Sequence, residues 1–184
     1  ARADRARIPS EAVLAEAFEE LADILESTGC DLILCEMLYD TVRVPPLLDA
    51  ALGSGLPAWA GFTARRGAHD TVLAFEPDED VPFSEITALA KDRPLDAAGV
   101  MHTPSDLITA ALAVLRADFD GPLYAYPDSG HFRMPHWQFE DVIPPEDFAA
   151  YARSWRADGV QGIGGCCGLS PAHIAAFAGS PGAG

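Results

Sequence analysis

The chain has 184 residues, 49% of them hydrophobic, which is long enough for one domain with a sizeable core, expected over residues 1–184. Its 28 acidic residues against 12 basic ones give a formal net charge of −16, with no basic patch to neutralise phosphates, so the composition argues against nucleic acid as a partner. No apolar run reaches the roughly 20 residues of a membrane-spanning helix, and residues 1–7 are too polar for a secretory leader, so the expectation is a cytoplasmic protein away from membranes.

Taken in chain order, residues 10–28 place Val13, Leu14, Phe18, Leu21, Ile24 and Leu25 on one helical face, with Ser10 as N-cap and Gly29 as stop. Residues 31–37 (DLILCEM) form an apolar run short enough for a buried strand, with Glu36 near its end. Residues 44–52 carry a helical pattern that admits Pro45 and Pro46 only in the first turn. Residues 57–63 read as the next strand, 64–82 as an irregular polar loop, and 83–90 as a short helix. A small-residue strand at 96–101 runs up to His102, and a helix at 104–117 buries Leu107, Ile108, Ala111, Leu112 and Leu115. Residues 122–126 are a strand and 127–143 a long loop rich in aromatics and histidine. A helix at 145–158, a strand at 160–163 and a helix at 170–177 close the chain, the last with Ser170 as N-cap and Pro171 at its first position.

Strands that alternate with helices and are nearly continuous in apolar residues imply a parallel sheet covered by helices. Glu36, His102 and the pair Cys166-Cys167 all fall at carboxyl ends of strands, where parallel α/β folds place their chemistry. The segment Gly164-Gly165-Cys166-Cys167-Gly168 has two readings on spacing alone. Its cysteines are either small buried hydrophobes or a clamp for a soft metal, with glycines that let both sulfurs face one ion. The other cysteines, Cys30 and Cys35, read as core or near-core, and the four together do not suggest a disulfide scaffold.

These segments resemble the homocysteine S-methyltransferase family, zinc-dependent (β/α)₈ barrels that methylate a thiol. The run GIGGCCGLSPAHI at 162–174 is similar to that family's last strand, two-cysteine zinc motif and following helix. PLYAYPDSG at 122–130 resembles its Y-P-N-S-G strand and loop, with Asp128 where asparagine is usual. LPAWAGFT at 56–63 resembles its L-P-V-W-x-S-F-T strand. In the place of the family's G-V-N-C strand end stands Gly99-Val100-Met101-His102, so His102 replaces the first zinc cysteine. About five strand–helix units are present where a barrel has eight, so the expected fold class is α/β, a TIM-barrel type that is partial here. Against that family the chain is a fragment, a subunit whose barrel a second chain completes, or a shortened protein that oligomerises, and the sequence does not choose among the three.

By that resemblance, zinc is the cofactor, His102, Cys166 and Cys167 are its ligands, and Glu36 binds the substrate ammonium. A thiol such as homocysteine takes the fourth metal position and receives a methyl group from a small-molecule donor. Replacing a thiolate by a neutral imidazole changes the net charge of three ligands plus Zn²⁺ from −1 to zero, which predicts a weaker sulfur nucleophile. The alternative is a non-catalytic partial barrel with a structural zinc or a redox-sensitive dithiol. Of the remaining residues, Trp137 and Phe139 are expected to cover or underlie the site, His131 and His136 to serve as loop contacts, and His69 and His173 to lie on the surface.

Overall fold

The structure is a computed structural model that describes residues 8–76, 78–133 and 136–179, without the side chains of 131–133 and 137. Five parallel strands form its main sheet: β1 (Ile33–Leu38), β2 (Ala58–Phe62), β5 (Ala97–Pro104), β6 (Leu123–Asp128) and β9 (Gly162–Ile163). They pair in that order, so each strand lies beside the one before it, as in the wall of a (β/α) barrel. Helices α1 (Glu11–Ser27), α2 (Val44–Gly53), α4 (Ser105–Arg116), α5 (Pro145–Ala157) and α6 (Pro171–Ala178) alternate with these strands, with a short α3 (Phe83–Thr87) before β5. Pro45 and Pro46 occupy the first turn of α2, where a missing N–H costs nothing.

Side-chain alternation divides the sheet into two faces. Cys35, Ala60, Phe62, Ala98, Val100 and Ala125 point outward and join Leu107, Ile108, Leu115, Phe148 and Trp155 in one buried cluster. Each large apolar side chain fully buried there contributes roughly 1.5–3 kcal/mol. The opposite face, which is the inner face of a barrel wall, is built differently. Trp59 and Tyr124 stack with ring centroids 5.6 Å apart, and Tyr126 continues the row at 6.2 Å from Tyr124. At the β1 edge this face is open: Leu34 is 36% exposed and Glu36 is exposed as well.

Three sequence expectations are corrected here. The stretch 64–82 is not all loop. It contains an antiparallel hairpin of β3 (Ala64–Arg66) and β4 (Val72–Ala74), in which Arg65 pairs with Asp80 at 2.7 Å. Likewise, the long loop after β6 contains β7 (His131–Arg133) paired with β8 (His136–Gln138). Both were invisible because a three-residue strand is too short to show a period. Finally, the apolar stripe of α1 is only partly covered, since Leu14 is buried while Val13, Leu21 and Ile24 stay about half exposed. The stripe is wider than the surface α2 presents to it.

Candidate metal centre

Two strand ends build the site. The pairing of β5 with β6 slips between Met101 and Pro104, and within that irregularity His102 adopts φ +45°. A left-handed conformation costs a non-glycine residue on the order of 1–2 kcal/mol and persists only where surrounding structure enforces it. Thr103 supplies part of that enforcement: its hydroxyl donates to the Met101 carbonyl at 2.8 Å and accepts from the Ala64 N–H at 3.0 Å. The kink leaves His102 nearly buried at the carboxyl end of β5, with its ring edge-on to Phe75 at 5.4 Å.

The second strand end is the glycine-flanked turn after β9. Its backbone continues the sheet pairing: Gly164 N–H donates to Ala125 O at 3.0 Å and Cys166 N–H to Pro127 O at 2.8 Å. In the other direction, Ser129 N–H donates to Cys167 O at 2.8 Å. Gly168 then turns with φ +79°, and a Cβ placed on it would stand 1.8 Å from the Ser129 carbonyl oxygen, so no other residue fits. These bonds fix both cysteines against the end of β6.

The result is a compact donor set. Cys166 Sγ is 3.5 Å from His102 Nδ1 and 3.6 Å from Cys167 Sγ, and Cys167 Sγ is 3.9 Å from the same nitrogen. A tetrahedral zinc with Zn–S near 2.3 Å and Zn–N near 2.05 Å has donor–donor edges of about 3.5–3.8 Å. Two of the three separations match those edges and the third, Cys167 Sγ to His102 Nδ1, is within a few tenths of an ångström, so small adjustments of the side chains suit them to such an ion, with Nδ1 as the imidazole donor. Among the described residues they are the one group of such donors close enough to share a metal.

Cys166 and Asp128 are both set in a partly desolvated environment. Burial pushes the Cys166 thiol up to about 12, and the adjacent Cys167 and Asp128 charges push it in the same direction. Asp128 ends β6 with its carboxylate Oδ2 at 3.6 Å from His102 Nδ1. Burial raises its carboxyl above the ordinary range, and His102 draws it partly back.

The other candidates divide. Glu36 is not drawn into the donor cluster; it stands exposed on the inner face, and its charge is one of the causes, after burial and Cys35, that raise Tyr124 above the phenol range. His136 is exposed and apart from the cluster, while the side chains of His131 and Trp137 lie outside the described residues. Phe139 is half exposed and rests over the turn, 3.3 Å from where a Gly168 Cβ would be.

His173 is a correction, because it is buried and not on the surface. Its Nδ1 accepts from Ser170 N–H at 3.0 Å, so the proton sits on Nε2, which donates to Ile143 O at 2.8 Å. Ile143 N–H in turn donates to Ser129 Oγ at 2.8 Å. This chain of bonds ties α6 to the residue beside Asp128 and props the cysteine turn from behind. The sequence signal was available: Ser170 and His173 have the spacing of a capping box with histidine in the glutamate position.

Comparison with known proteins identifies relatives of the chain. A family model described as homocysteine S-methyltransferase matches residues 3–180. Homocysteine S-methyltransferase 4 of Zea mays is 30% identical over 162 residues, which cover 84% of this chain and 45% of that protein. The homocysteine S-methyltransferase of Escherichia coli strain K12 is 32% identical over 175 residues, 88% of this chain and 53% of that protein. The crystal structure of the metallated form of the homocysteine methyltransferase MmuM from Escherichia coli superposes with a TM-score of 0.65 at 29% identity, covering 89% of this chain and 51% of that one. The chain thus spans about half the length of the curated relatives it matches.

Proposed function

This chain belongs to the homocysteine S-methyltransferase family, and from that premise we propose that it carries the metal site of a zinc-dependent enzyme that methylates the thiol of homocysteine or a similar compound. The observation that carries the reading is the donor set of His102 Nδ1 and the two sulfurs at 3.5–3.9 Å.

In this reading His102, Cys166 and Cys167 hold zinc and leave a fourth position for the substrate sulfur. Zinc supplies Lewis acidity that keeps a thiol deprotonated at neutral pH. Glu36, on the inner face, receives the substrate ammonium as a charge-assisted partner. Trp59, Tyr124 and Tyr126 form an aromatic floor beneath the strand ends that excludes water from the reacting centre. In the transfer itself the substrate sulfur forms the new bond to the methyl carbon, the donor's bond to that carbon breaks, and the electron pair leaves with the donor. A small-molecule methyl donor and a further chain or segment over the open inner face complete the proposal.

The test is metal content by elemental analysis for the wild type and for Cys166→Ala. The expected result is about one zinc per chain, lost in the variant. Absence of zinc from protein purified without chelators would overturn the reading. A second reading, a non-catalytic partial barrel with a structural zinc, is favoured by the exposed inner face around Leu34. The two separate on the Co²⁺-loaded protein: homocysteine shifts the ligand-field spectrum if a coordination position is open to the thiol, and leaves it unchanged at a closed structural site.

A further inference from the structure

Asp128 is a carboxylate whose position the donor set does not explain. Its side chain is 12% exposed at the end of β6, and its one ion-pair partner among the described residues is His102, at 3.6 Å. Arg43 pairs with Asp40, and Arg66 pairs with Asp106, which lines the same cleft as Asp128; among the described residues neither arginine forms an ion pair with Asp128. A carboxylate taken out of water is costly unless a cation or several donors compensate it.

His102 cannot both compensate Asp128 and bind a metal. An imidazolium that pairs with the carboxylate has no lone pair on Nδ1, and an Nδ1 that gives its lone pair to an ion has no proton to offer. A dication held by the three donors would supply the compensating charge. Two thiolates and a neutral imidazole around a dication sum to zero, and the Asp128 charge beside them makes the sum −1.

Resting on the zinc reading above, we propose that Asp128 is the charge-balancing carboxylate of the metal centre. It stands outside the coordination shell, strengthens the hold on the dication, and restores to the site the negative charge that a histidine in place of a thiolate removes. Its place outside the shell follows from the geometry: the three donors that lie within 4.8 Å of one another are His102, Cys166 and Cys167, and Asp128 is not of that set. The fourth position is left to the substrate sulfur.

The experiment uses the full chain, with Zn²⁺ and Co²⁺ as probes in competition with a chromophoric chelator. Asp128→Asn keeps the shape and removes the charge, and it should lower Zn²⁺ affinity about ten- to a hundredfold, the usual effect of losing an outer partner of a metal site. Its Co²⁺ spectrum should keep the wild-type ligand-field and thiolate charge-transfer bands. Asp128→Glu keeps the charge and should retain most of the affinity even if the asparagine variant folds poorly. In a His102→Cys background a third thiolate supplies the charge, so the effect of Asp128→Asn should largely vanish.

Four outcomes would overturn the proposal. They are an unchanged or tighter affinity in Asp128→Asn, an equal loss in both backgrounds, a shift of the ligand-field bands that makes Asp128 a ligand, or loss of affinity in Asp128→Glu as large as in Asp128→Asn. A wild-type protein that takes up neither ion overturns the zinc reading itself and this inference with it. That failure is distinct from one in which the wild type and Asp128→Asn bind equally well.

Discussion

The sulfur of Met101 accepts a hydrogen bond from the backbone N–H of Met37 at 3.1 Å, across the strand that separates them. The route is open because β2 carries Gly61 at the crossing, where a Cβ would stand only 3.0 Å from Met101 Cγ. Met37 has φ +58° and follows Glu36; His102 has φ +45° and follows Met101. One side chain thus holds two left-handed kinks in a fixed relation, and with them the proposed ammonium partner and the proposed imidazole ligand.

Met101→Leu tests that link. Leucine conserves the buried volume and removes the acceptor, so the loss of stability should be modest, about 1 kcal/mol. The loss of Zn²⁺ affinity should be several-fold, because the His102 kink loses an anchor. Urea denaturation of the metal-free protein and chelator competition measure the two effects separately; an unchanged affinity would show that the two kinks are independent.

Gly168→Ala addresses the cysteine turn. A methyl group 1.8 Å from the Ser129 carbonyl oxygen, on a residue at φ +79°, forces the turn away from β6 and breaks the Ser129 to Cys167 hydrogen bond. The expected cost is about 2 kcal/mol or more, with zinc stoichiometry falling well below that of the wild type. Elemental analysis of protein that retains its far-ultraviolet circular dichroism checks it.

Cys35 sets an alkaline limit. Burial on the outer face of β1 raises its thiol from the ordinary 9.0 to about 11, so between those values the folded protein holds a proton that the unfolded chain has released. Stability is fully present below pH 9 and is lost as pH rises through about 11, by on the order of 2–3 kcal/mol from this residue. Cys35→Ala should be less stable at neutral pH and lose less between pH 9 and 11. Urea midpoints across that range decide the point, and parallel pH profiles for the two proteins would refute it.

Much of this architecture was legible in the sequence. The 3.6-residue stripe of α4 carries its own periodicity, the runs before Glu36 and His102 are short and apolar, and the glycine-flanked cysteine pair announces a turn. What stayed hidden depends on distance through space. His102 and Asp128 were each visible as departures from a family pattern, but only the pairing of β5 with β6 sets them 3.6 Å apart. The capping-box spacing of Ser170 and His173 was present in the sequence, but the bond from His173 to the Ile143 carbonyl, which buries the ring, depends on how α6 packs. Glu36 was legible as a strand-end carboxylate, but its exposure follows from the place of β1 at the edge of the sheet.

The order of the sheet follows the order of the chain, so each strand–helix unit can dock on the one completed just before it. Each parallel pairing joins residues tens of positions apart, such as Ile33 with Ala58 and Trp59 with Ala97, so its closure is slow, but the assembly can grow from one end like a repeat array. The last strand is the weak terminus of this series, with only two residues in the ladder. An ion shared by His102 and Cys166 would bridge residues 64 positions apart and reach over β6 to grip that terminus. On a loop-closure estimate such a cross-link restricts the unfolded chain by on the order of 4 kcal/mol. Unzipping of the metal-free chain would then begin at its carboxyl end, and the metal would act as the bolt that makes the last unit melt together with the rest.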